Sequence, residues 1–153
     1  IKSKIIETNA LLGGEMSGHI FFNDDWYGFD DAIYSALRMI EVLSKNKLTP
    51  HEVFNSYPKH FSTPEINLEV PEEIKFKIID ELKTLLNSSG YMLIDIDGIR
   101  LENENSWGLV RASNTSPNLV LRFEGKTESD LLEIKNYFKQ ILSKIEFDFQ
   151  LDF

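Results

Sequence analysis

The chain has 153 residues, enough for one average domain or a small domain plus part of another, and its 42% apolar and 27% charged residues are ordinary for a soluble folded protein. A formal net charge of −9 argues against a nucleic-acid partner, which needs a basic footprint, but leaves room for a small phosphorylated ligand held by one local arginine. Apolar runs of only a few residues exclude a membrane span, no leader pattern suggests secretion, and the absence of cysteine excludes disulfides and thiolate metal sites while fitting a reducing cytoplasm.

Ile1-Lys2-Ser3-Lys4-Ile5-Ile6 opens without an initiator methionine and reads as a strand or the end of a helix, which points to a fragment. Gly13-Gly14-Glu15-Met16-Ser17-Gly18-His19 then groups a carboxylate, a hydroxyl and an imidazole within five residues. Its glycines let the backbone approach a ligand closely, although a simple turn explains the glycines equally well. Further on, Ile33, Leu37, Ile40 and Leu43 recur at helical spacing and predict one buried face. Asp30 is the expected N-cap, with Asp31 in the first turn beside the helix dipole. These two aspartates and Asp24 and Asp25 resemble a metal cluster, yet caps and a solvated face explain them more simply. Trp26, Tyr27 and Phe29 read as core packing rather than a sugar platform. Thr49-Pro50-His51-Glu52 predicts a second, short helix with a capping box and proline at its first position. His51 and His60 lack partners at zinc-site spacing.

Tyr57-Pro58 and Thr63-Pro64 mark an extended stretch, so residues 1–57 are expected to form one part, 58–70 a linker and 71–153 a second unit. In that unit Pro71-Glu72-Glu73 opens a helix with Ile74, Ile78, Leu82 and Leu85 on one face, and Gly90 ends it. Tyr91 to Ile96 and Ile99 to Leu101 flank Asp97-Gly98, a strong hairpin signal. Trp107 to Ser113 and Leu119 to Glu124 form a second hairpin. Thr127 and Asp130 cap a last helix, with Leu131, Ile134, Phe138 and Ile141 facing inward. The order α-β-β-β-β-α gives an α+β fold, a four-stranded antiparallel sheet with two helices on one face, preceded by an α/β tail. Asn87-Ser88-Ser89 and Asn114-Thr115-Ser116 match the glycosylation sequon, a pattern that arises often by chance.

The second hairpin loop, Arg111-Ala112-Ser113-Asn114-Thr115-Ser116-Pro117, offers a guanidinium, hydroxyls and an amide. Turn formation alone would explain its Asn, Ser, Thr and Pro; a phosphate cradle would use the same groups for charge and hydrogen bonding. Arg122 reads as an exposed or ion-paired strand residue. Arg100 follows a hairpin turn and needs no further role.

Together the two loops resemble the α-D-phosphohexomutase family, in its phosphomannomutase/phosphoglucomutase branch, and the resemblance covers the whole chain. It implies that Glu15 and Ser17 hydrogen-bond the sugar's hydroxyls and that His19 faces the reacting hydroxyl, as a proton carrier or as a phosphate partner. It implies further that Arg111, Ser113, Asn114 and Thr115 hold the substrate phosphate. Met16 is similar to the mannose/glucose branch, where phosphoglucosamine mutases usually carry glutamine. The family's serine loop, of the Thr-Ala-Ser-His-Asn-Pro kind, and its Asp-Gly-Asp-Gly-Asp-Arg segment for magnesium do not occur here.

The resemblance thus implies the C-terminal part of an isomerase: the tail of a third domain with the sugar loop, then an intact fourth domain with the phosphate loop. The full-length phosphoprotein would interconvert mannose or glucose 1-phosphate and 6-phosphate through a phosphoserine, with Mg2+ and hexose 1,6-bisphosphate as cofactors and the metal site outside this chain. The fragment alone is expected to be inactive, and to self-associate through the exposed remnant of the third domain. A phosphoglucosamine mutase, or a non-catalytic phosphosugar-binding module, is the alternative.

Overall fold

Local side-chain chemistry sets most of the helix starts. The computed structural model describes residues 1–15, 17–86 and 90–153, which divide into two units, 1–58 and 59–153. Met16, the expected branch marker, and the Asn87-Ser88-Ser89 sequon lie outside the described residues.

In the first unit, α1 (Lys2–Thr8) ends at Asn9 in the left-handed conformation. Strands β1 (Leu12–Gly14) and β2 (Ile20–Phe22) form an antiparallel hairpin in the register Leu12↔Phe22. Helix α2 spans Ala32–Lys45, and its N-cap is Asp31 rather than Asp30. The Asp31 side chain accepts from the Tyr34 amide at 2.9 Å, while Asp30 forms an isolated bridge to Phe21. Helix α3 (Pro50–Asn55) starts on the expected capping box, the Thr49 hydroxyl meeting the Glu52 amide and the Glu52 carboxylate meeting the Thr49 amide. Those Thr49 contacts hold the Glu52 carboxyl below its usual range.

The apolar face of α2 is not buried. Ile33 is 78%, Leu37 59% and Ile40 61% exposed. The two three-residue strands of this unit offer too little surface to cover a helix of 14 residues. The aromatic cluster also departs from expectation. Trp26 stacks on Tyr34 at 4.1 Å but stays half-buried, and Tyr27 and Phe29 are exposed.

In the second unit the elements are β3 (Phe61–Ser62), β4 (Ile66–Glu69), α4 (Lys75–Leu85), β5 (Met92–Ile94), β6 (Ile99–Glu102), β7 (Ser106–Ala112), β8 (Asn118–Gly125) and α5 (Glu128–Leu142). The sheet has six strands, in the order β3-β8-β7-β6-β5, with β4 also pairing β8. The two extra strands lie in the stretch expected as linker. Strand β8 has eight residues and a second edge to satisfy. Phe61 and Ser62 pair there with Gly125 and Glu124, and Ile66 to Glu69 pair with Leu121 to Asn118. Thr63 continues the ladder, its amide donating to the Phe123 carbonyl at 3.0 Å and its hydroxyl accepting from the Phe123 amide at 3.1 Å. Pro64 is tolerated because this is an edge.

Alternation along β7 and β8 turns Gly108, Val110, Leu119, Leu121 and Phe123 toward α4 and α5. They meet Ile78, Ile79 and Leu82 of α4 and Ile134, Phe138 and Ile141 of α5. Full burial of such side chains contributes about 1.5–3 kcal/mol each. Helix α4 begins at Lys75, four residues later than expected, because residues 71–74 form a turn closed by the Ile74 amide on the Pro71 carbonyl. After α5, Phe147, Phe149, Leu151 and Phe153 also pack against the core, a segment without an assigned element in the sequence reading.

The β5–β6 turn spans residues 95–98, four residues rather than two. Gly98 sits at φ +89°, and a Cβ there would lie 2.4 Å from the Val110 carbonyl oxygen. Gly98→Ala is therefore expected to cost about 1–3 kcal/mol in chemical denaturation. Glutamate at Leu37 and Ile40 should cost less than about 0.5 kcal/mol at these exposed sites. The same pair of changes should reduce any concentration-dependent increase in mass seen by light scattering.

Candidate functional site

The first loop, residues 15–19, is the tip of the β1–β2 hairpin. The Glu15 amide donates to the His19 carbonyl at 2.8 Å, and the Gly18 amide returns to the Glu15 carbonyl at 3.0 Å. Gly18 has φ +90°, a conformation that glycine adopts without strain. This folding leaves the side chains of Glu15, Ser17 and His19 exposed together on one tip. The Ser17 hydroxyl donates to Glu15 Oε2 at 3.2 Å.

His19 has a partner that the sequence reading assigned elsewhere. Its Nδ1 lies 2.6 Å from Asp30 Oδ2, and Asp30 Oδ1 accepts from the Ile20 amide at 3.3 Å. An ionised carboxylate only accepts, so Nδ1 holds a proton and Nε2 is left for a ligand. The Asp-Asp pair signalled a cap, and only the Phe21–Asp30 bridge shows which aspartate turns toward the hairpin.

Asp24 and Asp31 are spent structurally. Asp24 takes a forked contact from Arg38, with distances of 3.1 and 3.4 Å, and Asp31 caps α2. The hydrogen bonds that Arg38 donates to Tyr34 and then to Asp24 push its guanidinium further above its usual range. His51 meets Asn55 and His60 meets Glu124, both at 2.8 Å. Among the described residues, no three His, Cys, Asp or Glu side chains are grouped so as to hold a metal ion.

The second loop joins β7 to β8 in the other unit. Arg111 is half-buried near the end of β7, and its guanidinium has no hydrogen-bond or ion-pair partner among the described residues. Asn114 and Thr115 are exposed. Ser113 is placed differently. It is 6% exposed, and its hydroxyl pairs with the Ser116 hydroxyl at 2.8 Å. The same oxygen accepts from the amides of Thr115 and Ser116 at 3.3 and 3.2 Å. Ser113 thus ties the loop from within, while Arg111, Asn114 and Thr115 present groups outward.

Beneath the loop lies a residue the sequence reading missed. Lys75, 1% exposed, donates to the Ser113 carbonyl at 2.6 Å, to the Ser116 carbonyl at 3.3 Å and to Glu72 at 2.7 Å. Its signal was the buried stripe Lys75, Ile78, Ile79, Leu82, in which a lysine occupies an apolar position. Arg122, expected to be exposed or ion-paired, is half-buried, and its Nε is buried without a hydrogen-bond partner among the described residues. Arg100 pairs with Glu102 at 2.8 Å and lies over the Trp107 ring.

Comparison with known proteins covers both units of the chain. Residues 1–61 match the model of phosphoglucomutase/phosphomannomutase alpha/beta/alpha domain III, and residues 65–141 match that of the phosphoglucomutase/phosphomannomutase C-terminal domain. The chain belongs to the phosphoglucomutase/phosphomannomutase family. It is 50% identical to a phosphomannomutase/phosphoglucomutase of Pseudomonas putida, over 100% of this chain and 33% of that protein. It is 46% identical to a phosphoglucomutase of Neisseria meningitidis, over 93% of this chain and 31% of the relative. A crystal structure of a phosphoglucomutase/phosphomannomutase family protein from Burkholderia thailandensis superposes with a TM-score of 0.84 at 40% identity, covering 97% of this chain and 31% of that one. The chain therefore spans about a third of the length of the curated relatives it matches.

Ser113 and Arg111 separate by denaturation. Ser113→Ala leaves two loop amides without their acceptor and is expected to cost about 1–3 kcal/mol. Arg111→Ala removes a group with no protein partner and should stay within about 0.5 kcal/mol of the parent.

Proposed function

We propose that this chain supplies sugar and phosphate recognition in a phosphomannomutase/phosphoglucomutase, which interconverts hexose 1-phosphate and hexose 6-phosphate. The observation that supports it most is the unpaired Arg111 guanidinium beside the exposed Asn114 and Thr115. A guanidinium fork with adjacent neutral donors matches a phosphate dianion. In the first unit, the Glu15–Ser17–His19 tip suits a sugar. A carboxylate that accepts and a hydroxyl that donates and accepts can read ring hydroxyls, because a wrong pattern leaves polar groups unpaired.

His19 acts through Nε2 at the reacting hydroxyl, or on the phosphate beside it. Asp30 holds the ring by Nδ1, which sets both tautomer and orientation. Magnesium would offset phosphate charge in the complete enzyme, and a hexose 1,6-bisphosphate would serve as its intermediate. The described residues offer no ligand set for the ion, so the chain's own contribution is positioning.

The test uses a full-length enzyme that includes this segment. Arg111→Ala should weaken glucose 1-phosphate binding by roughly 1.5–3 kcal/mol, measured by calorimetric titration. Glu15→Ala should instead blur the choice between mannose and glucose phosphates and leave competition by inorganic phosphate nearly unchanged. Unaltered glucose 1-phosphate affinity in Arg111→Ala would remove the loop from the site.

A further inference from the structure

We propose that Lys75 is a positioning residue for the phosphate loop, aiming the Asn114 amide outward as a phosphate donor and placing a positive charge beneath it. This rests on the phosphate role proposed above for the second loop. A buried ammonium is tolerated only when its donors are used, and all three N–H bonds of Lys75 have acceptors: the carbonyls of Ser113 and Ser116 and the Glu72 carboxylate. Two of these three acceptors belong to the loop.

The direction of the peptide between Ser113 and Asn114 follows from this. No cis peptide bond is present among the described residues, and in a trans peptide the carbonyl and the next amide point opposite ways. Holding the Ser113 carbonyl inward on Lys75 therefore turns the Asn114 N–H outward. That amide has no acceptor among the described residues, unlike those of Thr115 and Ser116, which donate to Ser113 Oγ. An unpaired N–H thus accompanies an unpaired guanidinium and the exposed Thr115 on the same loop. Burial alone does not explain the choice of residue, since a methionine would fill this place on the apolar stripe without desolvating a charge. Glu72, at the open end of the contact with its side chain 60% exposed, partly offsets the lysine's charge.

The experiment titrates the chain with inorganic phosphate and follows amide chemical shifts. In the parent, the Asn114 amide proton should move downfield and saturate. Lys75→Met should weaken the apparent affinity about tenfold and abolish that shift, as expected when a neighbouring charge and an aimed donor are both lost. Glu72→Gln, at an exposed position, should tighten binding about twofold by leaving the lysine charge less compensated. A merely structural lysine would not produce that gain.

If the parent binds phosphate and Arg111→Ala weakens it, but a folded Lys75→Met binds as the parent does, the inference about Lys75 fails alone. If the parent shows no loop response and Arg111→Ala changes nothing, the phosphate reading fails and this inference with it. Should Lys75→Met not fold, Glu72→Gln decides: tighter binding supports the proposal, and unchanged or weaker binding overturns it.

Discussion

Strand β8 must satisfy backbone groups along both of its edges, and the arrangement of the second unit follows from that requirement. One edge pairs with β7 from Ala112 to Ser106. The other takes β4 beside residues 118–121 and β3 beside residues 124–125. With β8 central, the alternation of its side chains turns Leu119, Leu121 and Phe123 toward the helices. Its partner β7 is drawn along the same ladder, so the loop between them, with Asn114 and Thr115, is held at one end of the sheet. Both stems of this loop are core strands. Lys75 then fixes its underside from a third element, helix α4.

Much of this was legible in the sequence wherever a local rule decides alone. The capping boxes at Thr49 and Thr127 and the inward stripe of α5 needed no tertiary information. The hairpin strands flanking the loop at 113–117 were legible for the same reason. What escaped was set by partners distant in sequence. Nothing local tells a proline-interrupted stretch such as 61–69 that a long strand lies ready to pair with it. The choice between Asp30 and Asp31 as cap depended on a hairpin about ten residues upstream. The face of α2 was read correctly as apolar, but periodicity reports the stripe and not the surface that covers it.

The exposure of the two candidate loops was legible, and the placement of individual side chains only partly so. Residue types chosen for sugar and phosphate chemistry do fall on two exposed loop tips, one in each unit. Their individual roles depend on where each side chain turns. Ser113 was grouped with the ligand-facing residues, and its hydroxyl is instead occupied by its own loop. The contacts of Lys75 and Asp30 behind the loops were invisible because each residue also fits an ordinary structural description: a helix-start lysine and a helix cap. In both places a residue behind the loop spends its hydrogen bonds on the loop itself. Such a contact is a property of pairs, and sequence spacing does not report it.

The late-returning partners of β8 also set an order of assembly. The β7–β8 hairpin closes across the short loop at 113–117, whereas the pairing Phe61↔Gly125 joins residues far apart in the chain. Closing a larger loop carries a greater entropic cost, so local pairs gain their reward first. During folding, then, β8 acquires β7 while its opposite edge still displays unpaired amides and carbonyls. Such an edge is a template for any passing strand, including the same strand of another molecule. Segment 61–69, by pairing with β8, covers an edge that would otherwise stay open.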